Sequence, residues 1–215
     1  MKATQPRIPL FAKILYTAFV AILVPYYWYA YGPTNFLYFC DTALLITVVA
    51  MWVESPLLAS AAAVGILIPQ AVWVADFFGS VVGHAPIGMT AYMFNPKLSL
   101  FTRGLSFFHF WLPFVLVWLV WKLGYDKRAL KFWTVLAWSL MLIAYFLLPA
   151  PPAPALDPNM PVNVNYVYGL SDDGPQAWMP QLAWFGLMLT VLPTLIYLPT
   201  HLLLKKFFPT AQANR

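Results

Sequence analysis

Residues 56–78 read PLLASAAAVGILIPQAVWVADFF, with one charged side chain, Asp76. The hydrocarbon core of a bilayer, about 30 Å thick, takes roughly 20 mostly apolar residues of helix, and this stretch supplies them. Five further segments do the same: 10–31, 35–53, 103–123, 131–149 and 180–204. Their lengths, and the lack of a two-residue alternation, favour helices over the strands of a barrel. The expected fold class is therefore all-α: a polytopic integral membrane protein, a six-transmembrane-helix bundle forming one domain over 1–215.

Composition points the same way. The 215 residues are 62% hydrophobic and 9% charged, with 10 Trp, 12 Tyr and 17 Phe, whereas soluble domains run near half apolar and about a quarter charged. A cytosolic enzyme, a DNA-binding domain and a disordered chain are excluded. A single cysteine, Cys40, excludes an internal disulfide framework and any multi-cysteine zinc site. The first segment follows Lys2, Arg7 and Lys13 and so imitates a signal peptide. It is too long and too aromatic for one, lacks a small-x-small cleavage site, and is read as a retained span.

Charge sets the expected orientation. With six spans, both termini share a side with the connections between spans 2–3 and 4–5. That side carries Lys2, Arg7, Lys13, Lys122, Lys127, Arg128, Lys131, Lys205, Lys206 and Arg215, while the other holds only Lys97 and Arg103. The positive-inside bias places both termini in the cytoplasm. Tyr26, Tyr27, Trp28, Tyr29 and Tyr31 then form an outer aromatic belt, with Trp178 and Trp184 across from it. The basic excess is an orientation signal, and no nucleic-acid partner is expected.

Short links at Gly32-Pro33-Thr34 and Glu54-Ser55 make spans 1, 2 and 3 antiparallel neighbours. Two long connections, about 79–102 and 150–179, face outward. The second contains Pro151, Pro152, Pro154, Pro158, Pro161 and Pro175, the acids Asp157, Asp172 and Asp173, and no Lys or Arg. It reads either as a solvated linker or as an ordered lid, with Asn159, Asn163, Asn165, Tyr166 and Tyr168 available to dock it by hydrogen bonds.

Ionisable groups inside spans are costly and are default candidates for function. At 1.5 Å of rise per residue, Cys40 and Asp41 sit about 8–9 Å below the outer end of span 2. Asp76 lies near the outer end of span 3, with Gln70 about 9 Å deeper, and His109 lies about 9 Å into span 4. Three helices thus bring Cys40, Asp41, Asp76 and His109 to one outer layer, while Glu54 and His201 lie at the inner edge. In that layer Cys40 is a nucleophile if His109 takes its proton and Asp76 or Asp41 orients the imidazole. Burial alone leaves a thiol inert, and each of these residues also has a packing role open to it. Arg103 can meet an anionic head group or pair with Asp41. Gln70, beside Pro69, can satisfy a carbonyl freed by the helix break. Asp41, Asp76, His109 and His84 offer donors that suit zinc, with His201 on the opposite face, but no metal and no cofactor is expected.

The stretch Asn35-Phe-Leu-Tyr-Phe-Cys40-Asp41-Thr-Ala-Leu-Leu, with Leu105-Ser-Phe-Phe-His109-Phe-Trp-Leu-Pro113 about 70 residues on, resembles the six-span YwaF-like and androgen-induced membrane-protein superfamily. In its bacterial and acyltransferase-like branch a Cys-Asp pair on span 2 faces a Phe-Phe-His stretch on span 4. Members transfer or hydrolyse lipid acyl chains through a nucleophile and a His. The resemblance implies Cys40 as nucleophile, His109 as base and Asp41 as the matching acid. The Thr nucleophile of the androgen-induced branch falls at Tyr38 and does not transfer. Phe110 stands where the bacterial branch carries a second His.

The expectation is an integral membrane lipid-acyl hydrolase or acyltransferase with a Cys-His site near the outer leaflet, placed in a bacterial inner membrane with membrane lipids as partners. Its catalytic candidates are Cys40, His109, Asp76 and Asp41. Its substrate-binding candidates are Arg103, Gln70 and Tyr38, with Gln70, Tyr38 or a backbone N–H facing the oxyanion. The alternatives are a small transporter, for which Pro25, Pro69, Pro113, Pro193 and Pro199 supply broken helices, and a non-catalytic assembly subunit docking through 150–179. A polar path from Asp76 to Glu54 distinguishes the former, and divergent Cys40 and His109 faces the latter.

Overall fold

The computed structural model describes residues 7–84, 87–154, 156–157 and 159–211. Lys2, Pro158 and Arg215, used above, lie outside the described residues. Within them the chain is helical, without a β-strand beyond one isolated bridge between Tyr125 and Thr210. In chain order the helices are α1 (Leu10–Tyr31), α2 (Phe39–Trp52), α3 (Pro56–Val81), α4 (Leu100–Ser106), α5 (Phe108–Leu123), α6 (Ala129–Leu147), α7 (Gln181–Val191) and α8 (Leu198–Phe207). Helices α4 and α5 run on as one apolar rod with a break at Phe107, and α7 passes into α8 through a π-type stretch, Leu192–Tyr197, that contains Pro193. Five rods are therefore long and apolar enough to cross a membrane. This is an integral membrane protein by length and composition.

The second expected span is shorter than read. Pro33 and its neighbours form a 3-10 turn, Pro33–Leu37, and α2 itself has 14 residues. That is about 21 Å of helix, less than the core thickness. The turn is set by Gly32, whose φ of 78° ends α1 and which Pro33 follows without a helical N–H to offer.

Helix α3 holds the bundle together. It packs against α2, α5, α6 and α8, and its first half, Ala59 to Ile66, is fully buried. Without a hydrophobic force between helices in lipid, close backbone approach and packing must supply the association, and small residues permit it. The tightest point is Gly65, where a Cβ would lie 1.8 Å from Cε2 of the buried Trp133 on α6. The indole fills the place of the missing side chain.

Polar residues fall at the two ends of this packed middle. At the end holding Arg7, Ala211 and most of the described basic residues, the basic end, Glu54 accepts from Lys13 Nζ at 2.8 Å and from the backbone N–H groups of Arg7 and Ile8. Ser60 accepts the Asp126 N–H there, and Tyr125 bonds His201 at 2.6 Å. At the opposite end, the loop end, the described parts of the two long connections, among them 87–99 and 159–180, fold back on the helices.

Candidate functional site

The loop end is built from the starts of α2 and α5, the last turns of α3 and two folded connections. Asp76, one turn and a half before the end of α3, is 1% exposed, and its carboxylate accepts four hydrogen bonds. Oδ1 takes the N–H groups of Ile87 and Gly88 at 2.8 and 2.9 Å. Oδ2 takes the N–H and hydroxyl of Thr90 at 2.8 and 2.7 Å. An ionised carboxylate saturated in this way is a structural anchor. It fixes the connection that leads into the 3-10 turn Ala91–Phe94. No bond joins Asp76 to His109 among the described residues, so the expected orientation of the imidazole by Asp76 has no counterpart in the geometry.

His109 is held instead by Gln70. The carboxamide lies 2.9 Å (Nε2) and 3.2 Å (Oε1) from His109 Nδ1, so either tautomer finds a partner. The carboxamide thus serves the imidazole, where the sequence offered it a carbonyl freed by Pro69. The ring is stacked between Trp73 and Phe108, at centroid distances of 5.2 and 4.1 Å. Gln70, Trp73 and Asp76 follow one another at intervals of three and share one face of α3. His109 Nε2 carries no hydrogen bond among the described residues. Trp73 in turn donates its indole N–H to the Tyr92 hydroxyl at 3.2 Å. Trp73 and Tyr92 were not singled out from the sequence, although the i, i+3, i+6 series could have marked Trp73.

Cys40 and Asp41 open α2, and they meet each other. The Cys40 thiol lies 3.6 Å from Asp41 Oδ2 and has no other hydrogen-bond partner among the described residues. Asp41 is 4% exposed, and its Oδ1 is buried without a partner. Burial raises the pKa of the Tyr92 hydroxyl, against the hydrogen bond from Trp73, which lowers it. Burial, then Asp172, then Cys40 raise that of Tyr166. No group of three or more His, Cys, Asp or Glu among the described residues is placed to hold a metal ion.

The Pro-rich connection is folded onto this end. The Asn165 carboxamide accepts from Phe39 N–H and donates to the Leu37 carbonyl, both at 2.9 Å, and so brackets Tyr38. Tyr38 donates to the Val162 carbonyl at 3.3 Å. Asn163 donates to the carbonyls of Gly169 and Ser171 and accepts the Tyr168 N–H, closing the segment on itself. Tyr168 donates to the Tyr145 carbonyl on α6 at 2.6 Å, and Trp184 on α7 donates to the Tyr166 carbonyl at 2.9 Å. Asn163, Asn165 and Tyr166 all have left-handed backbones, with φ of 51°, 60° and 61°. Asn tolerates that region, whereas for Tyr166 it costs about 1–3 kcal/mol, which the surrounding bonds must offset.

Arg103 is not paired with Asp41. The ion pairs among the described residues are Lys13–Glu54 and Arg128–Asp126. The Arg103 guanidinium donates to the Met93 carbonyl at 3.3 Å, and its Nε is buried without a partner. His84 lies beyond α3 and His201 at the basic end, both apart from the Cys40–Asp41 pair.

The structure thus resolves the expected layer into three parts: a Cys40–Asp41 contact, a Gln70–His109 contact, and an Asp76 anchor. No protein-family model, no curated protein and no solved structure matches this chain.

Proposed function

We propose that this protein is an integral membrane lipid-acyl hydrolase or acyltransferase in which Cys40 is the nucleophile and Asp41 accepts its proton. The observation that carries the reading is the 3.6 Å contact from the Cys40 thiol to a buried carboxylate whose second oxygen is unpartnered. A carboxylate left unsatisfied in a dry site is costly, and a group that acts on something absent from the resting fold is one explanation for bearing that cost. In the proposed reaction Sγ attacks the carbonyl carbon of an acyl ester or thioester, and its proton passes to Asp41. The bond to the leaving alcohol or thiol breaks, and that group departs with the proton that Asp41 took from Cys40. Water or a second alcohol then attacks the acyl-cysteine, Asp41 takes its proton, and the departing thiolate recovers that proton from Asp41.

Three further features support the reading. The strained Tyr166 follows Asn165, whose carboxamide holds the Phe39 N–H one residue before Cys40, and is itself held by Trp184 and Asn163. The buried Arg103 Nε is a donor suited to an anionic head group. Between the two polar ends, Ala59 to Ile66 of α3 are packed closed, an arrangement that suits chemistry at one end better than passage through the bundle. The ten-to-two division of Lys and Arg supports an orientation with the basic end cytoplasmic and the site in the outer leaflet of a bacterial inner membrane.

The test is trapping with a long-chain acyl thioester in membranes containing the full chain. A hydroxylamine-sensitive acyl adduct is expected on wild type and none on Cys40→Ala. Equal labelling of the two would sink the mechanism and leave a packing cysteine.

A further inference from the structure

A second feature runs from the start of α5 toward the basic end. The lipid-facing side of α3 and α5 carries a groove of about 710 Å³ that contains no charged side chain. Its floor is low because Ala71 on α3 and Pro113 on α5 stand where larger residues would close it, and Phe114, Val117 and Trp121 form one wall. It runs along α5 from Phe110 to Trp121 and ends against Phe208. Eleven residues of helix span about 16 Å, roughly the depth of one leaflet of a 30 Å core.

The basic end of this groove is charged. Lys122 Nζ sits 4.4 Å from the centre of the Trp121 ring, and Lys206 Nζ sits 5.3 Å from that of Phe207, next to Phe208. Neither lysine has an acidic partner among the described residues. Both sit over aromatic faces, Lys122 directly after the groove residue Trp121 and Lys206 two before the groove residue Phe208. An apolar channel one leaflet deep, ending in unpaired ammonium groups, has the shape and charge of one lipid class.

We propose that the α3–α5 groove is a binding site for an anionic phospholipid of the leaflet at the basic end, with an acyl chain along Ala71, Phe114 and Val117 and the phosphate at Lys122. The site is independent of the Cys40 chemistry, and the test does not involve it. The full chain, purified in a non-ionic detergent, is offered dioleoyl phosphatidylglycerol and dioleoyl phosphatidylcholine at equal concentration and examined by native mass spectrometry. Wild type is expected to retain the anionic lipid about fivefold over the zwitterionic one, the worth of one lysine near an anionic surface. Lys122→Gln brings the two to parity, and Ala71→Trp, which fills the groove, loses both. Lys122 is exposed, so its variant remains decisive even if Ala71→Trp does not fold. Parity in wild type overturns the proposal. So does an unchanged preference in Lys122→Gln, or a dimer that appears in place of bound lipid.

Discussion

The two ends of the bundle use the same kinds of side chain to opposite effect. At the basic end every oxygen of Glu54 is engaged: Oε1 by Lys13 and the Ile8 N–H, Oε2 by the Arg7 N–H. Asp126 is gripped through both oxygens by Arg128. At the loop end Asp76 is equally saturated, whereas Asp41 has one oxygen facing a thiol and the other without a hydrogen-bond partner. An acid that the fold needs is surrounded by donors. An acid that the fold merely tolerates is where chemistry can be sought.

The sharpest way to break that contrast is at Asp41. Asp41→Asn is expected to abolish acyl-enzyme trapping while leaving the thermal midpoint of the detergent-solubilised protein unchanged or raised, because an uncompensated buried charge is removed. A large fall in midpoint would place Asp41 with the structural acids. Asp76→Ala should show the reverse. It strands four donors and is expected to cost about 3–5 kcal/mol, read as a denaturant midpoint shift of the loop end. A near-neutral result would mean that connection 82–99 is held by other contacts.

Glu54→Gln probes the basic end, with an expected loss of about 1–3 kcal/mol from charge-assisted bonds to the buried Lys13. Its pH dependence carries a sign. Burial alone would raise the Glu54 carboxyl, but Lys13 and the two backbone donors more than offset this and hold it below the ordinary 4.5. The stabilisation is therefore complete above pH 4.5 and lost as pH falls through the lowered value. The wild-type midpoint should fall on acidification below that range, and the Glu54→Gln midpoint should fall less. The smallest effect belongs to Arg128→Ala. That pair bridges neighbouring residues with the Arg128 side chain three-quarters exposed, and such pairs add little. A midpoint indistinguishable from wild type is expected, and a clear loss would show the 4–5-span connection to be a stabilising site.

Much of the scaffold is legible in the chain, because hydrophobic length is a strong signal. The first span is read at 10–31 and found as Leu10–Tyr31, and the others fall within a few residues. What escapes is local. Pro33 and Asn35 shorten the second span by folding into a 3-10 turn. The break at Phe107 has no Pro or Gly beside it to announce it, whereas the π-type stretch at 192–197 has Pro193. The candidate layer is legible as a depth, since 1.5 Å per residue brings Cys40, Asp41, Asp76 and His109 near one level. Partners within the layer are not. Three of the four bonds to Asp76 come from backbone N–H groups, which no side-chain pattern encodes. His109 meets Gln70 through the packing register of α3 against α5, a tertiary quantity.

The Asn165 carboxamide has one more property. By accepting from Phe39 N–H and donating to the Leu37 carbonyl, it imitates a peptide unit laid against the chain as a neighbouring strand would be. It reads main chain only. These two bonds therefore survive a change of side chain at residues 37 and 39, whereas Asn165 itself has no stand-in. Aspartate matches its shape but lacks the donor, and glutamine is a methylene too long. Beside the bonds made by Tyr38, Tyr168 and Trp184, the attachment of this segment to the start of α2 thus includes one side chain whose own contacts are blind to the sequence they hold.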